Sequence, residues 1–384
     1  MVYDATIHLP FDGPVIQALL ASWQQQWPAL GVMAFVPEKE KKHVAELQAI
    51  FRTLNIPLVG AIFPALLIDG DWDETGILLL RMNPHPPAFL FTDIYGQQAE
   101  RAENMVRQLR PFIDTSAHAQ PPALFMIFDG LVQGVSTIID NLYLHLADSV
   151  HYAGVNAGCE TFLNEPCLFD AWRCVRNGAW ALLLPAWGTM LLEHGYTPPG
   201  KVISATSAQG NRIISIDWQP AFNVYKALVQ EDWGVTLTAE NFYQYASDYP
   251  LGILRANDQL VIRVPVGLNP DGSIVCVGDI PPNAALVLLY AKTSGNDNCI
   301  PLLYARMEKD LPPLSGDPLF TFYCAARRLY LGDETANELA ALKNRTGAST
   351  LVGALSLGET GSQRSWGAPL FHNTAVLCGS WKYR

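Results

Sequence analysis

A carboxylate, an imidazole and a carboxamide stand near the end of the chain, at Glu359 and at His372-Asn373. Two apolar, β-prone runs, 350–358 and 371–377, bracket a loop rich in Gly, Ser and Trp. That pattern predicts a hairpin with a long connection. Antiparallel pairing of the two runs would bring Glu359, His372 and Asn373 together at one strand end, beside Gly358. Such a polar lip suits a small ligand.

Cys324 closes an apolar strand and opens a helix that carries Arg327 and Arg328. A helix N-terminus and a nearby guanidinium favour a thiolate, although a small buried residue at a tight strand-to-helix junction is the more natural reading. No Gly-x-Ser-x-Gly elbow and no His-Glu-x-x-His occurs, so the expectation is a binding protein and not an enzyme. An enzyme using Cys324 as nucleophile, with His194 or His372 as base, stays open as an alternative. Gly195 to Lys201 has the spacing of a phosphate-binding loop. Val202 replaces the metal-binding hydroxyl, however, and Pro198 and Pro199 cannot donate N–H groups. Asp69 to Glu74 mimics a calcium loop without its glycine, and Leu80 occupies the place of the bidentate Glu, so a solvated acidic turn is expected. Cys159, Cys167 and Cys174 match no zinc spacing and read as buried thiols. No Cys-x-x-Cys-His is present, which excludes covalent haem attachment. Of the eight histidines, His8, His43, His85 and His118 are expected exposed, and His145 in a core or at its edge. His151, His194 and His372 are expected at a shared cleft, as pocket lining or as metal ligands.

The elements that would position these groups fall into two textures. Val32 to Val36, a helical pattern over 38–54 and Pro57 to Phe63 read as β-α-β, implying a parallel pair. A second unit follows at 123–128, 135–147 and 150–155, and its last strand runs into Asn156-Ala-Gly158, where open α/β sheets gather ligands. From about Val202 the pattern turns to hairpins, over 202–216, 259–277 and 284–291, with Asn269-Pro-Asp-Gly272 as one turn. Helices are expected near 221–230 and 333–344. The expected fold is α/β (α+β), two domains built on mixed sheets with packed helices, divided as 1–219 and 220–384.

A hydrophobic fraction of 49% with only 16% charged residues describes a well-packed globular chain. The net charge of −11 and the single diluted basic run at Lys39 to Lys42 argue against nucleic acid as a partner. No apolar stretch reaches spanning length and no secretory leader is read at Met1 to Pro10, so no membrane insertion is expected. Seven scattered cysteines point to a reducing compartment, the cytoplasm.

The segment Gly353-Ala-Leu-Ser-Leu-Gly-Glu359, followed by His372-Asn-Thr374, resembles the C-terminal part of FIST proteins, prokaryotic sensory modules. Cys324-Ala-Ala-Arg327 with Leu331-Gly332 is similar to the family's Cys-x-x-Arg and Leu-Gly element. His194 to Gly200, Ser204 to Asn211, Ile216 to Tyr225, Tyr249 to Gly252 and Arg263 to Pro265 fit in order. The resemblance implies an intracellular small-ligand sensor acting on a partner histidine kinase, diguanylate cyclase or phosphodiesterase, with homo-oligomers open. His151 to Phe162 resembles the standalone haem-binding, nitric-oxide-sensing branch, which implies haem b as cofactor, a gas as ligand, and His151, His194 or His372 as iron ligand. Asn156-Ala157 departs from the Gly-Gly common elsewhere in the family, which bears on an amino-acid ligand. The expected ligand-binding set is Asn156, Gly158, His194, Asn211, Cys324, Arg328, Glu359, His372 and Asn373. The alternative to haem is a small anionic metabolite held by Arg328.

Overall fold

A computed structural model of the chain describes residues 6–94, 96–114, 121–161, 163–184, 190–197, 201–255, 259–290, 299–310, 314, 316–362 and 367–379. His118, the prolines at 198 and 199 and the centre of the C-terminal loop lie outside these residues.

Three β-α-β units organise the chain. In the first, strand β1 (Gly31–Pro37) and strand β2 (Leu58–Phe63) run parallel on either side of helix α1 (Val44–Leu54). Val44, Leu47, Ile50 and Phe51 of α1 are buried, as their three-to-four spacing requires of a helix lying on a sheet. The second unit comprises β3 (Ala123–Asp129), α2 (Val135–Leu146) and β4 (His151–Ala157), again a parallel pair. On α2 the buried stripe is Val135, Ile138, Ile139, Leu142 and Leu146. His145 falls on the opposite face and is exposed, contrary to its expected place in or beside the core. His85 departs the other way: it is half-buried, and desolvation pushes its pKa down to about 4.

A hairpin follows, β5 (Pro265–Leu268) and β6 (Ile274–Cys276), turned at Asn269-Pro-Asp-Gly272. Pro265 pairs with Cys276 and Gly267 with Val275, which leaves Val266 as an unpaired extra residue, a β-bulge. The third unit was not legible as such. Strand β7 (Leu319–Cys324) leads through α3 (Ala325–Leu331) and α4 (Glu334–Thr346) to a parallel β8 (Leu351–Ser356). The C-terminal strands are β9 (Glu359–Gly361), β10 (Leu370–His372) and β11 (Val376–Gly379).

Among the described residues these strands form five sheets, three mixed and two antiparallel, so the fold is α+β. One sheet is built around β1 and β2. A second has the order β10-β9-β4-β3, followed by strands 179–184 and 88–91. A third runs from 191–193 through β11, β7 and β8 to 66–68 and 71–73. Two smaller sheets carry the remaining strands, β5 and β6 included. The second and third sheets each take strands from both sides of residue 219, so the two halves of the sequence share hydrogen-bonded sheets.

The expected long C-terminal hairpin is corrected by this topology. Strand β8 pairs with β7 and β11 pairs with the other edge of β7, so the two apolar runs are never neighbours. Only the short β9 and β10 pair with one another, Glu359 opposite His372, and they belong to a different sheet. The chain leaves one sheet at 357–358 and returns at 373–375, because the inner strand β7 offers an apolar partner to both long runs.

The first three sheets meet on phenylalanine. Phe35 and Phe63 from the first, Phe125 from the second, and Phe320 and Phe322 from the third lie with ring centroids 5.0–5.9 Å apart. Aromatic pairs at this spacing contribute about 0.5–1.5 kcal/mol each beyond the burial of their area. This shared core holds the carboxyl ends of the parallel pairs in fixed relation. Among the described residues no helix is long and apolar enough to cross a membrane.

Candidate functional site

The carboxyl ends of β3 and β4 face those of β7 and β8. The Asn156 backbone N–H donates to the Gly358 carbonyl at 2.8 Å, and the Leu357 N–H donates to the Asn156 carbonyl at 2.9 Å. Two residues after Asn156, Gly158 adopts φ +136° and its N–H donates to the Ile62 carbonyl of β2. Its conformation is one that L side chains rarely adopt, and this is where the chain leaves β4 for the cleft.

On the β3 side, Asp129 builds the turn into α2. Its Oδ1 accepts from the Leu131 N–H at 2.9 Å and its Oδ2 from the Asn177 N–H at 2.7 Å. The turn Gly130–Val135 then lines a cavity of about 250 Å3, together with Asn156, Asn211, Asp279 and Phe371. Gly278, at φ +85°, shapes its far wall. A Cβ there would stand 2.9 Å from the Phe371 ring and 3.0 Å from Arg263 Nε, so no larger residue fits. A second cavity, also about 250 Å3, is lined mainly by apolar groups including Val264, Ala325, Leu329 and Leu357, with Glu160, Cys324 and Asn373 among its polar members. Val266 and Val277 belong to the walls of both. The bulge at Val266 is what turns its side chain to that position, a common use of bulges beside binding sites. Either cavity alone falls below the roughly 300–1,000 Å3 usual for small-molecule sites, and the two together fall within it.

Apart from Gly158, which lines neither cavity, the expected site residues divide into three groups. Asn156 and Asn211 line the polar cavity, and Cys324 and Asn373 the apolar one. Asn156 Oδ1 is buried without a hydrogen-bond partner. Asn211 donates to the Cys276 carbonyl at 2.9 Å. With its carboxamide nitrogen turned to donate, Asn373 bonds the carbonyls of Ile262 and Val277, tying the β10–β11 corner to the β6 end.

Glu359, His194 and His372 form a second group, buried and in neither wall. Glu359 accepts from Ser356 Oγ at 2.6 Å and from the Ala375 N–H at 3.2 Å, and burial pushes its carboxyl up to about 8. His194 Nδ1 accepts from the Tyr196 N–H, and its ring lies 5.4 Å from that of His372. Burial holds both imidazoles neutral, and both ring nitrogens of His372 are without hydrogen-bond partners. The convergence of Glu359 with His372 is real, but it builds the interior wall behind the cavities and not a lip.

Arg328 and His151 stand apart. Arg328 is half-exposed, 3.5 Å from Glu160 and over the Trp72 ring. The buried guanidinium is its neighbour Arg327, which reaches Glu338, the Tyr330 hydroxyl and the carbonyls of His194 and Thr374. His151 opens β4 opposite Ala123, so it sits at the amino end of the strand whose carboxyl end carries Asn156. Five residues of extended chain put it about 17 Å from the cleft. Its expected place there is therefore corrected.

These positions bear on haem. Among the described residues neither of these two cavities is lined by a histidine, each is too small for a porphyrin, and no cluster of three His, Cys, Asp or Glu could hold a metal ion. The described residues of these two cavities do not fit haem.

Cys324 lines the apolar cavity, yet burial and the neighbouring Glu359 push its thiol well above the ordinary range. Of the seven cysteines only Cys174 is exposed. A thiol reagent is expected to label Cys174 first, with Cys174→Ser removing the fast phase and Cys324 reacting only on unfolding. Rapid modification of Cys324 in the folded protein would restore the nucleophile reading.

Several lining residues were missed by sequence reasoning. The Asp129-Gly130-x-x-x-Gly134 turn between a strand and a helix carried a signal, since glycines there let a ligand approach the backbone. Val266, Val277 and Asp279 carried none, because a bulge is decided by pairing across the hairpin.

Residues 31–219 match the FIST N domain and residues 221–362 match the FIST C domain. Comparison with curated proteins returns no match.

Proposed function

Because the chain belongs to the FIST family, whose domains sense small ligands in signalling proteins, we propose that its ligand is a small metabolite seated across the two adjoining cavities. The observation that carries this reading is the shared wall. Asn156 and the turn into α2 come from the FIST N region, Val266 and Val277 from the FIST C region, and they enclose one cleft. A ligand bound there stabilises whichever arrangement of the β5–β6 hairpin against α2 it contacts better, and only that difference in affinity can carry a signal. A separate protein reads the change, a histidine kinase or a cyclic-dinucleotide enzyme in the cytoplasm. The seven unpaired cysteines support a reducing compartment. Among the described residues no histidine lines the cleft, which favours a metabolite over haem and nitric oxide.

The test is a thermal-shift screen of metabolites on the wild-type protein and on Val277→Phe, which fills the shared wall. A ligand at one hundred times its dissociation constant adds about 2.7 kcal/mol of stability. Hits that stabilise the wild type and not the folded Val277→Phe protein support the reading. Hits that stabilise both equally would place the ligand elsewhere.

A further inference from the structure

The two cavities share one lack. Among the described residues neither is lined by a lysine or an arginine. The guanidinium groups nearby are committed to other partners. Arg263 donates to the carbonyls of Asp279 and Phe371 and to Ser136 Oγ, Arg327 to Glu338, and Arg328 stands beside Glu160. An anionic head group would therefore find no counter-charge among the described residues of either wall, which corrects the expectation that Arg328 holds a carboxylate.

What the polar cavity offers instead is unmet acceptors. Asn156 is 1% exposed and its Oδ1 has no hydrogen-bond partner. Asp279, in the same wall, also carries a partnerless buried oxygen, Oδ2. Buried acceptors left unpaired are costly, and an ammonium, with three donors and a positive charge, satisfies two of them at once. Across Val266 and Val277 the second cavity presents Val264, Leu329 and Leu357, a wall that favours hydrocarbon.

We propose that the ligand is a small organic amine with an apolar tail. Its protonated nitrogen sits between Asn156 Oδ1 and the Asp279 carboxylate, and its tail passes the valine pair into the second cavity. This inference rests on the cleft reading above and narrows it to a ligand class.

The experiment is calorimetric titration of the full chain with n-alkylamines from ethyl to hexyl, the matching n-alkanoates and the matching n-alkanols. Saturable one-to-one binding of the amines is expected, tightening about fourfold per added methylene until the tail fills the second cavity. Alkanoates are expected to bind at least tenfold more weakly, and Asp279→Asn to weaken hexylamine about tenfold while leaving hexanol unchanged. The comparison of amine with alkanoate on the wild type needs no variant, so misfolding of Asp279→Asn leaves it decisive. Alkanoates binding as well as amines, in a manner abolished by Val277→Phe, would overturn the amine head group and leave the cleft standing. Amine binding that persists in Val277→Phe would overturn the placement. Absence of binding by every amine would overturn the ligand class, with the cleft then judged by the metabolite screen alone.

Discussion

Replacing Arg327 by alanine is expected to destabilise the protein by about 3–5 kcal/mol, while Arg328→Ala is expected to cost no more than about 1 kcal/mol. The two arginines are adjacent in sequence and their environments are opposite. Arg327 is 2% exposed, and its guanidinium meets both oxygens of Glu338 at 2.5 and 2.8 Å. It also donates to the His194 and Thr374 carbonyls and to the Tyr330 hydroxyl. Its removal would strand a part-buried carboxylate that also accepts from Tyr323, and would leave two carbonyls without donors. The network joins α3 and α4 to the strand at 191–193 and to the β10–β11 corner, so its loss should loosen the third sheet. Arg328 makes one half-buried 3.5 Å contact with Glu160 and a cation–π contact with Trp72, with no hydrogen-bond network among the described residues of the kind Arg327 anchors. Urea unfolding followed by circular dichroism measures the two costs. Equal midpoints for the two variants would refute the assignment.

The second large effect concerns pH. Glu359 titrates near 8 in the folded protein, against 4.5 for an ordinary glutamate, because burial penalises the charged form more than Ser356, Ala375 and Cys324 favour it. Between those values the folded state holds a proton that the unfolded chain has released. Stability therefore falls as pH rises, by about 1.4 kcal/mol per unit. Around and below pH 6.5, His85, His151, His194 and His372 act in the opposite sense. Their pKa values are lowered in the fold, so the unfolded chain takes up protons there and acid destabilises. Glu359→Gln keeps the shape and removes the titration while leaving the histidine contributions in place, so the difference between wild type and variant isolates Glu359. From pH 6.5 to 8 the wild type is expected to lose about 1.5–2 kcal/mol relative to Glu359→Gln. A parallel decline in wild type and variant would show that another group is responsible.

The chain's local patterns specified much of the fold. The 3.6-residue stripes of α1 and α2 and the apolar runs beside them predicted two parallel units, and both formed in register, Val32 with Leu58 and Ala123 with His151. Asn269-Pro-Asp-Gly272 predicted its turn. Such signals are legible because a helix stripe and a turn depend on residues a few positions apart. The third unit escaped although both of its helices were legible, because Gly332 breaks the crossover in two and no single helix joins the two strands. The C-terminal pairing escaped for a different reason. Two apolar runs joined by a loop carry the same local pattern whether they pair with each other or flank a third strand, and β7 decided the matter.

The candidate site divides the same way. Sequence by itself determined the residue types at its base: Asn156 at a strand's carboxyl end, Cys324 at a strand-to-helix junction, and Glu359, His372 and Asn373 near a turn. Only the tertiary structure decided which of them face a cavity. Asn156 and Asn373 do, whereas Glu359 and His372 turn inward, because a strand's period of two sends neighbours to opposite faces and burial then depends on what packs there. Which arginine is buried, and whether acids or cations line the cleft, followed from contacts between segments more than one hundred residues apart, as in the Arg327–His194 and Arg263–Phe371 bonds. No local pattern encodes those distances; they exist once three sheets close on one phenylalanine core.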